Sequence, residues 1–118
     1  MSNEPEAIQV RASAEFKRSL RTLAKRYRSV RSDIQPIIER LQLGEVLGDR
    51  VLGTSYTIFK VRVKNSDIQK GKSGGYRFIY YLKNSTQILL VTLYSKSDQG
   101  DVSSSIVNKI VAKFESPS

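Results

Sequence analysis

Lys60, Arg62 and Lys64 alternate with Phe59, Val61 and Val63 in one stretch, and Arg77 stands in a second, Gly74-Gly75-Tyr76-Arg77-Phe78-Ile79-Tyr80-Tyr81. In the first, alternation sends the apolar side chains to one face and the three cations to the other, as in a half-buried strand. Pairing the two segments gathers Lys60, Arg62 and Arg77 on one sheet surface. Such a surface suits phosphate, since a guanidinium offers a planar fork to two oxygens and an ammonium a compact point charge. The chain has no His and no Cys. That removes disulfides, thiolate zinc sites and imidazole proton transfer, so catalysis would have to use Lys, Arg, Tyr, Asp, Glu or Ser. No metal and no cofactor is expected.

The chain has 118 residues and a formal charge of +9. That length suits one core, so residues 1–118 read as a single domain with an ordered core over about 7–115. The positive excess favours a polyanionic partner, because neutralising phosphates releases counterions and steers association. Nucleic acid, an anionic membrane and an acidic protein are the candidates. No run approaches the roughly 18 apolar residues that span a bilayer. The start Met1-Ser2-Asn3-Glu4-Pro5-Glu6 lacks a signal peptide's cationic and apolar regions. A cytoplasmic protein without membrane attachment is the expectation.

Periodicity supplies the elements that must position these side chains. Residues 7–11, with Ile8 and Val10 as the apolar pair, read as a first strand. Ser13 then suits an N-cap. Over residues 14–30, Phe16, Leu20, Leu23 and Tyr27 recur at helical spacing, with Lys17, Arg18, Arg21, Lys25 and Arg28 opposite, giving a basic amphipathic helix. Ser32 and Gln35 form a capping-box pattern for a second helix, with Pro36 in its first turn and Ile34, Ile37, Ile38 and Leu41 as its apolar face. The two helices make a hairpin, and Gly44, Gly48 and Gly53 mark a loop beyond it.

Further strands are expected at 56–63, 75–82 and 87–94, the last two joined by the turn Lys83-Asn84-Ser85-Thr86. Ile88-Leu89-Leu90-Val91 is apolar on both faces, which predicts a central strand covered on both sides. Gly74-Gly75 reads as a turn, and Tyr76, Phe78 and Tyr80 read as packing residues. Val102, Ile106, Ile110 and Phe114 recur every fourth residue and mark a terminal helix. The expected fold is α+β: an N-terminal strand, a helical hairpin, a three-stranded antiparallel meander completing a four-stranded sheet, and a C-terminal helix.

This order, with Lys60-Val61-Arg62-Val63, the Gly74 to Tyr81 stretch and an apolar strand ending in Tyr94-Ser95-Lys96, resembles the RelE/ParE superfamily of toxins from bacterial type II toxin-antitoxin systems. The resemblance covers about residues 8–114 and is nearest to RelE-like and HigB-like members. It implies a compact RelE-like fold and a ribosome-dependent messenger RNA endoribonuclease, an mRNA interferase that inhibits translation. It also implies that Lys60, Arg62 and Arg77 bind and polarise the scissile phosphate. Typical RelE members add an arginine after the last strand and a tyrosine near the start of the terminal helix. Those positions hold Ser97 and Ser103 here, with Lys96 beside the first. The implied partners are a cognate acidic antitoxin, the ribosome with its mRNA, and operator DNA reached through the antitoxin complex.

Cleavage of RNA by its own 2'-hydroxyl requires a base, stabilisation of a phosphorane and an acid, and no nucleophilic side chain. Clustering Lys60 among Arg62, Arg77 and Lys96 disfavours its ammonium form and makes it the candidate base, whereas arginine stays charged. Arg77 is the leading clamp. The acid is either Tyr94, at the end of the last strand near Lys96, or Tyr81, on the alternation face of Arg77. Lys64, Lys70 and Lys72 in the linker and Lys25 and Arg28 on the basic helix are candidates for RNA backbone contacts, which position without specifying sequence. Two other readings stand beside the nuclease: a ParE-type DNA gyrase inhibitor that cuts nothing, and a non-catalytic RNA-binding module.

Overall fold

The structure, a computed structural model, describes residues 7–68 and 74–116. It is an α+β fold built on one mixed sheet. The strands are β1 (Gln9–Ala12), β2 (Asp49–Arg50), β3 (Ile58–Val63), β4 (Tyr76–Asn84) and β5 (Gln87–Ser95). The helices are α1 (Ala14–Arg26), α2 (Val30–Gln42) and α3 (Ser104–Glu115). The sheet order is β1-β5-β4-β3-β2. β1 lies parallel to β5, and every other neighbouring pair is antiparallel. Among the described residues no helix is long and apolar enough to cross a membrane.

Among the described residues the sheet has five strands rather than the four expected. The extra one, β2, is two residues long, too short to show a period of two, and exists because Asp49 and Arg50 pair with Lys60 and Phe59. Strand β5 lies between β1 and β4 and carries core residues on both faces, as its unbroken apolar run predicts.

The α1 and α2 layer covers one face through Phe16, Leu23, Tyr27, Ile34 and Leu41, which meet Val61, Val63, Tyr76, Phe78 and Tyr80 of the sheet. The aromatic residues of β4 are packing residues: Phe78 meets Phe16 edge-on at 5.4 Å, and Tyr76 meets Tyr27 at 5.9 Å. Ser13 caps α1 by accepting from the Phe16 amide at 2.9 Å and donates to the Val91 carbonyl at 2.6 Å. It thereby ties the helix start to the sheet.

The helix boundary near residue 30 differs from expectation. α1 stops at Arg26, Tyr27 takes an extended conformation, and α2 begins at Val30. The Asp67 carboxylate accepts from the amide and hydroxyl of Ser29 at 2.8 and 3.0 Å, placing negative charge at the start of α2, where the helix dipole favours it. Ser32 is no cap; its hydroxyl donates to the Ser29 carbonyl. Pro36 therefore stands inside α2, past its first turn. That helix ends in a Schellman turn, with Gly44 at φ 91° and the Glu45 amide bonded back to the Arg40 carbonyl, the left-handed position that glycine occupies without steric cost.

α3 covers the opposite face, but not with the stripe expected. Its buried residues are Val107, Ile110 and Val111, whereas Ile106 is 50% exposed and Phe114 38%. Beneath it lie Ile58, Ile79, Tyr81, Leu89, Val91 and Tyr94. Strand β5 changes phase in this region. Ile79 pairs with Thr92 and Tyr80 with Leu90, leaving Val91 as the extra residue of a β-bulge. Ile88, Leu90 and Leu93 consequently face α1 and α2, while Leu89, Val91 and Tyr94 face α3.

Candidate functional site

Alternation in β3 places Val61 and Val63 against the α1 and α2 layer, which turns Lys60 and Arg62 to the face that carries α3. Cross-strand register then builds a row. Arg62 is the Cα partner of Arg77, and Arg77 is the partner of Tyr94. The row behind it is Lys60, Ile79 and Thr92. Arg62 is exposed, whereas Arg77 is only 5% exposed and donates from Nη1 to the Tyr76 carbonyl at 3.3 Å.

The start of β4 is held by close backbone approach rather than by a simple turn. A Cβ on Gly75 would fall well inside contact distance of the Val63 carbonyl on β3. The Gly75 carbonyl accepts from the Lys96 amide at 2.9 Å. Lys96 is thus fixed just past the end of β5, beside the start of β4. Ser97, the next residue, donates its hydroxyl to the Gly74 carbonyl at 2.7 Å.

One carboxylate unites the site. Oδ1 of Asp101 lies 3.1 Å from Lys96 Nζ and 3.9 Å from Lys60 Nζ, and it accepts from the Tyr94 hydroxyl at 3.2 Å. The hydrogen bond from Lys96, with help from the charge of Lys60 and from Tyr94, holds the Asp101 carboxyl below its ordinary value of 3.8. Tyr94 is displaced the other way. Burial first, and the Asp101 charge second among the raising causes, push its phenol above 10.0, although the Val102 amide and the Arg77 charge oppose this. Tyr94 therefore keeps its proton at neutral pH and can donate it.

Five of the residues singled out by sequence, Lys60, Arg62, Arg77, Tyr94 and Lys96, come together here. Tyr81 does not. It lies four residues along β4 from Arg77, about 13 Å at the rise of a strand. Its ring packs edge-on against Tyr56 at 5.4 Å, and burial, with Glu115 of α3 beside it, raises its phenol. Lys64 is exposed just beyond β3, and Lys25 and Arg28 are exposed on the helical layer that covers the other face of the sheet. Lys70 and Lys72 lie outside the described residues. Ser103 is the N-cap of α3, accepting from the Ile106 amide at 3.3 Å.

Asp101 is the site residue that the pattern of cations and the periodicity leave out; it stands two residues before the N-cap of α3. The available signal was modest: one carboxylate five residues after Lys96, in a segment whose fold over the sheet periodicity does not describe. Chemically, the arrangement offers fixed cations to an oxyanion, a protonated phenol beside them, and a carboxylate that competes for both. Compared with models of protein families, the chain matches none.

Proposed function

We propose that the protein is the toxin of a type II toxin-antitoxin pair, a ribosome-dependent mRNA endoribonuclease that acts in the cytoplasm and inhibits translation. The observation that carries this reading is the Arg62–Arg77 pairing. Like charges directly opposite on neighbouring strands destabilise a sheet, on the scale of about 0.2–1 kcal/mol, and the cost grows when one of them is withdrawn from water, as Arg77 is. A phosphate between them would be gripped by both guanidinium forks, and its charge would offset their repulsion.

In this reading Arg62 and Arg77 clamp the scissile phosphate, Lys96 adds charge at its flank, Lys60 takes the proton of the attacking 2'-hydroxyl, and Tyr94 protonates the departing 5'-oxygen. The attacking group is the RNA's own 2'-hydroxyl, so no serine or histidine is needed. The surface is open, and orientation has to come from the ribosome that holds the message. An acidic antitoxin would neutralise the face by charge complementarity. With a net charge of +9, binding to either partner should weaken steeply with salt.

The test is primer extension on ribosomes programmed with a defined message, with Arg77→Ala and ribosome-free RNA as controls. Cuts within the A-site codon, lost in the variant, are expected; loss of one preorganised donor costs about 10²–10³ in rate. Intact message under conditions where the protein still arrests growth would reject the nuclease and point to gyrase.

A further inference from the structure

We propose that Asp101 is a resident anion in the Lys60/Lys96 cradle, which a phosphate group of the RNA backbone has to displace before the site is complete. The inference rests on the reading of this face as a phosphate site, and concerns how that site is occupied when RNA is absent. A single oxygen, Asp101 Oδ1, takes both ammonium groups and the Tyr94 hydroxyl. Three of the groups that would serve a phosphate are therefore engaged by the same carboxylate. A carboxylate and a phosphate compete for the same donors through the same geometry.

The surroundings of Asp101 let it leave. Its side chain is 55% exposed. The segment that carries it is anchored at both ends by other residues: Asp98 pairs with Arg26 at 2.8 Å and accepts from the Tyr27 hydroxyl at 3.2 Å, and Ser103 caps α3. Between these anchors, a Cβ on Gly100 would meet nothing within 4 Å. Swinging Asp101 outward breaks neither anchor, and frees Lys60, Lys96 and Tyr94 in one step. Repulsion between the incoming phosphate and the carboxylate favours the same movement.

Equilibrium binding of a short fluorescein-labelled RNA, 2'-O-methylated so that it cannot be cleaved, tests this on the full chain at fixed salt. Asp101→Asn keeps the shape and removes the charge, and should bind about five- to tenfold more tightly than the native chain, the scale of one nearby charge interaction in a largely solvated setting. Asp101→Glu keeps the charge and should stay weak. Lys60→Ala/Lys96→Ala placed on the Asp101→Asn background should erase the gain. An asparagine variant that binds no better than the native chain overturns the proposal, as does a glutamate variant that binds equally tightly. Thermal melts of each variant identify a change caused by misfolding. The nuclease reading fails separately: a gain with Asp101→Asn alongside intact message on ribosomes leaves the displaced carboxylate standing on RNA binding alone.

Discussion

Tyr80→Phe isolates a pair of hydrogen bonds on which the segment leading to β2 depends. The Tyr80 hydroxyl accepts from the Leu47 amide at 2.8 Å and donates to the Leu47 carbonyl at 2.6 Å. Phenylalanine preserves the ring, its stacking on Phe59 at 5.4 Å and its edge contact with Phe78, so the change is confined to the hydroxyl. Tyr80 is fully buried and Leu47 is 9% exposed. Both backbone groups of Leu47 lose their partner. A lost bond costs about 0.5–1.5 kcal/mol, and a group left buried without a partner about 1–3. Since Leu47 lies near the surface, water should recover part of this, and a total of about 2–3 kcal/mol is expected. With an m-value of about 1.5 kcal/mol/M in urea, the unfolding midpoint falls by roughly 1.3–2 M. Hydrogen exchange at the Leu47 amide should accelerate with it. A midpoint shift below about 0.3 M would mean that these bonds contribute little net stability.

Three further outcomes follow from the packing and the buried phenols. Gly75→Ala forces a Cβ against the Val63 carbonyl and should destabilise by about 1–3 kcal/mol in a denaturant melt; an unchanged midpoint would contradict the close approach. Val107→Ala should cost roughly 1–3 kcal/mol and Ile106→Ala less than about 0.5 kcal/mol, an order that reverses if the stripe read from sequence is the buried one. Burial leads the causes that raise the phenols of Tyr76, Tyr80, Tyr81 and Tyr94 above 10.0. The unfolded chain therefore loses these protons first as pH rises, so this contribution to stability is full below pH 10 and is lost on passing through the folded values. Absorbance titration should show unfolding in alkali accompanied by a jump in tyrosinate; one smooth transition at the ordinary phenol value would count against it.

What the sequence revealed and what it hid have separable causes. The two helices of the hairpin were legible because Phe16, Leu23, Ile34 and Leu41 repeat near 3.6 residues and are buried. Their boundary was not, because the group that settles it, Asp67, bonds Ser29 across 38 positions. For α3 the interval of four misled: at 100° per residue each step drifts by about 40°, carrying Ile106 and Phe114 off the face that Val107, Ile110 and Val111 hold. In the sheet, period two placed Lys60, Arg62 and Arg77 on one face but said nothing about distance along it, which is why Tyr81 shares that face with Arg77 and lies apart from the cluster. Asp101 was hidden for another reason. Its contacts exist only after the chain leaving β5 has folded back over the sheet.

The bulge at Val91 has a consequence for how such a site can be gained or lost. It acts as a frame shift in the strand: upstream of it even-numbered residues face α1 and α2, and downstream odd-numbered ones do. Were the same residues paired one to one without the bulge, everything after it would rotate by half a turn, sending Leu93 toward the arginines and Tyr94 into the aliphatic interior, whereas losing Val91 itself would run Leu90 directly into Thr92 and leave both where they are. The phenol's place beside Arg77 is therefore set by counting rather than by chemistry, and substitution scans, which never alter the count, are blind to it. An insertion and deletion series through residues 90–93 would read it directly.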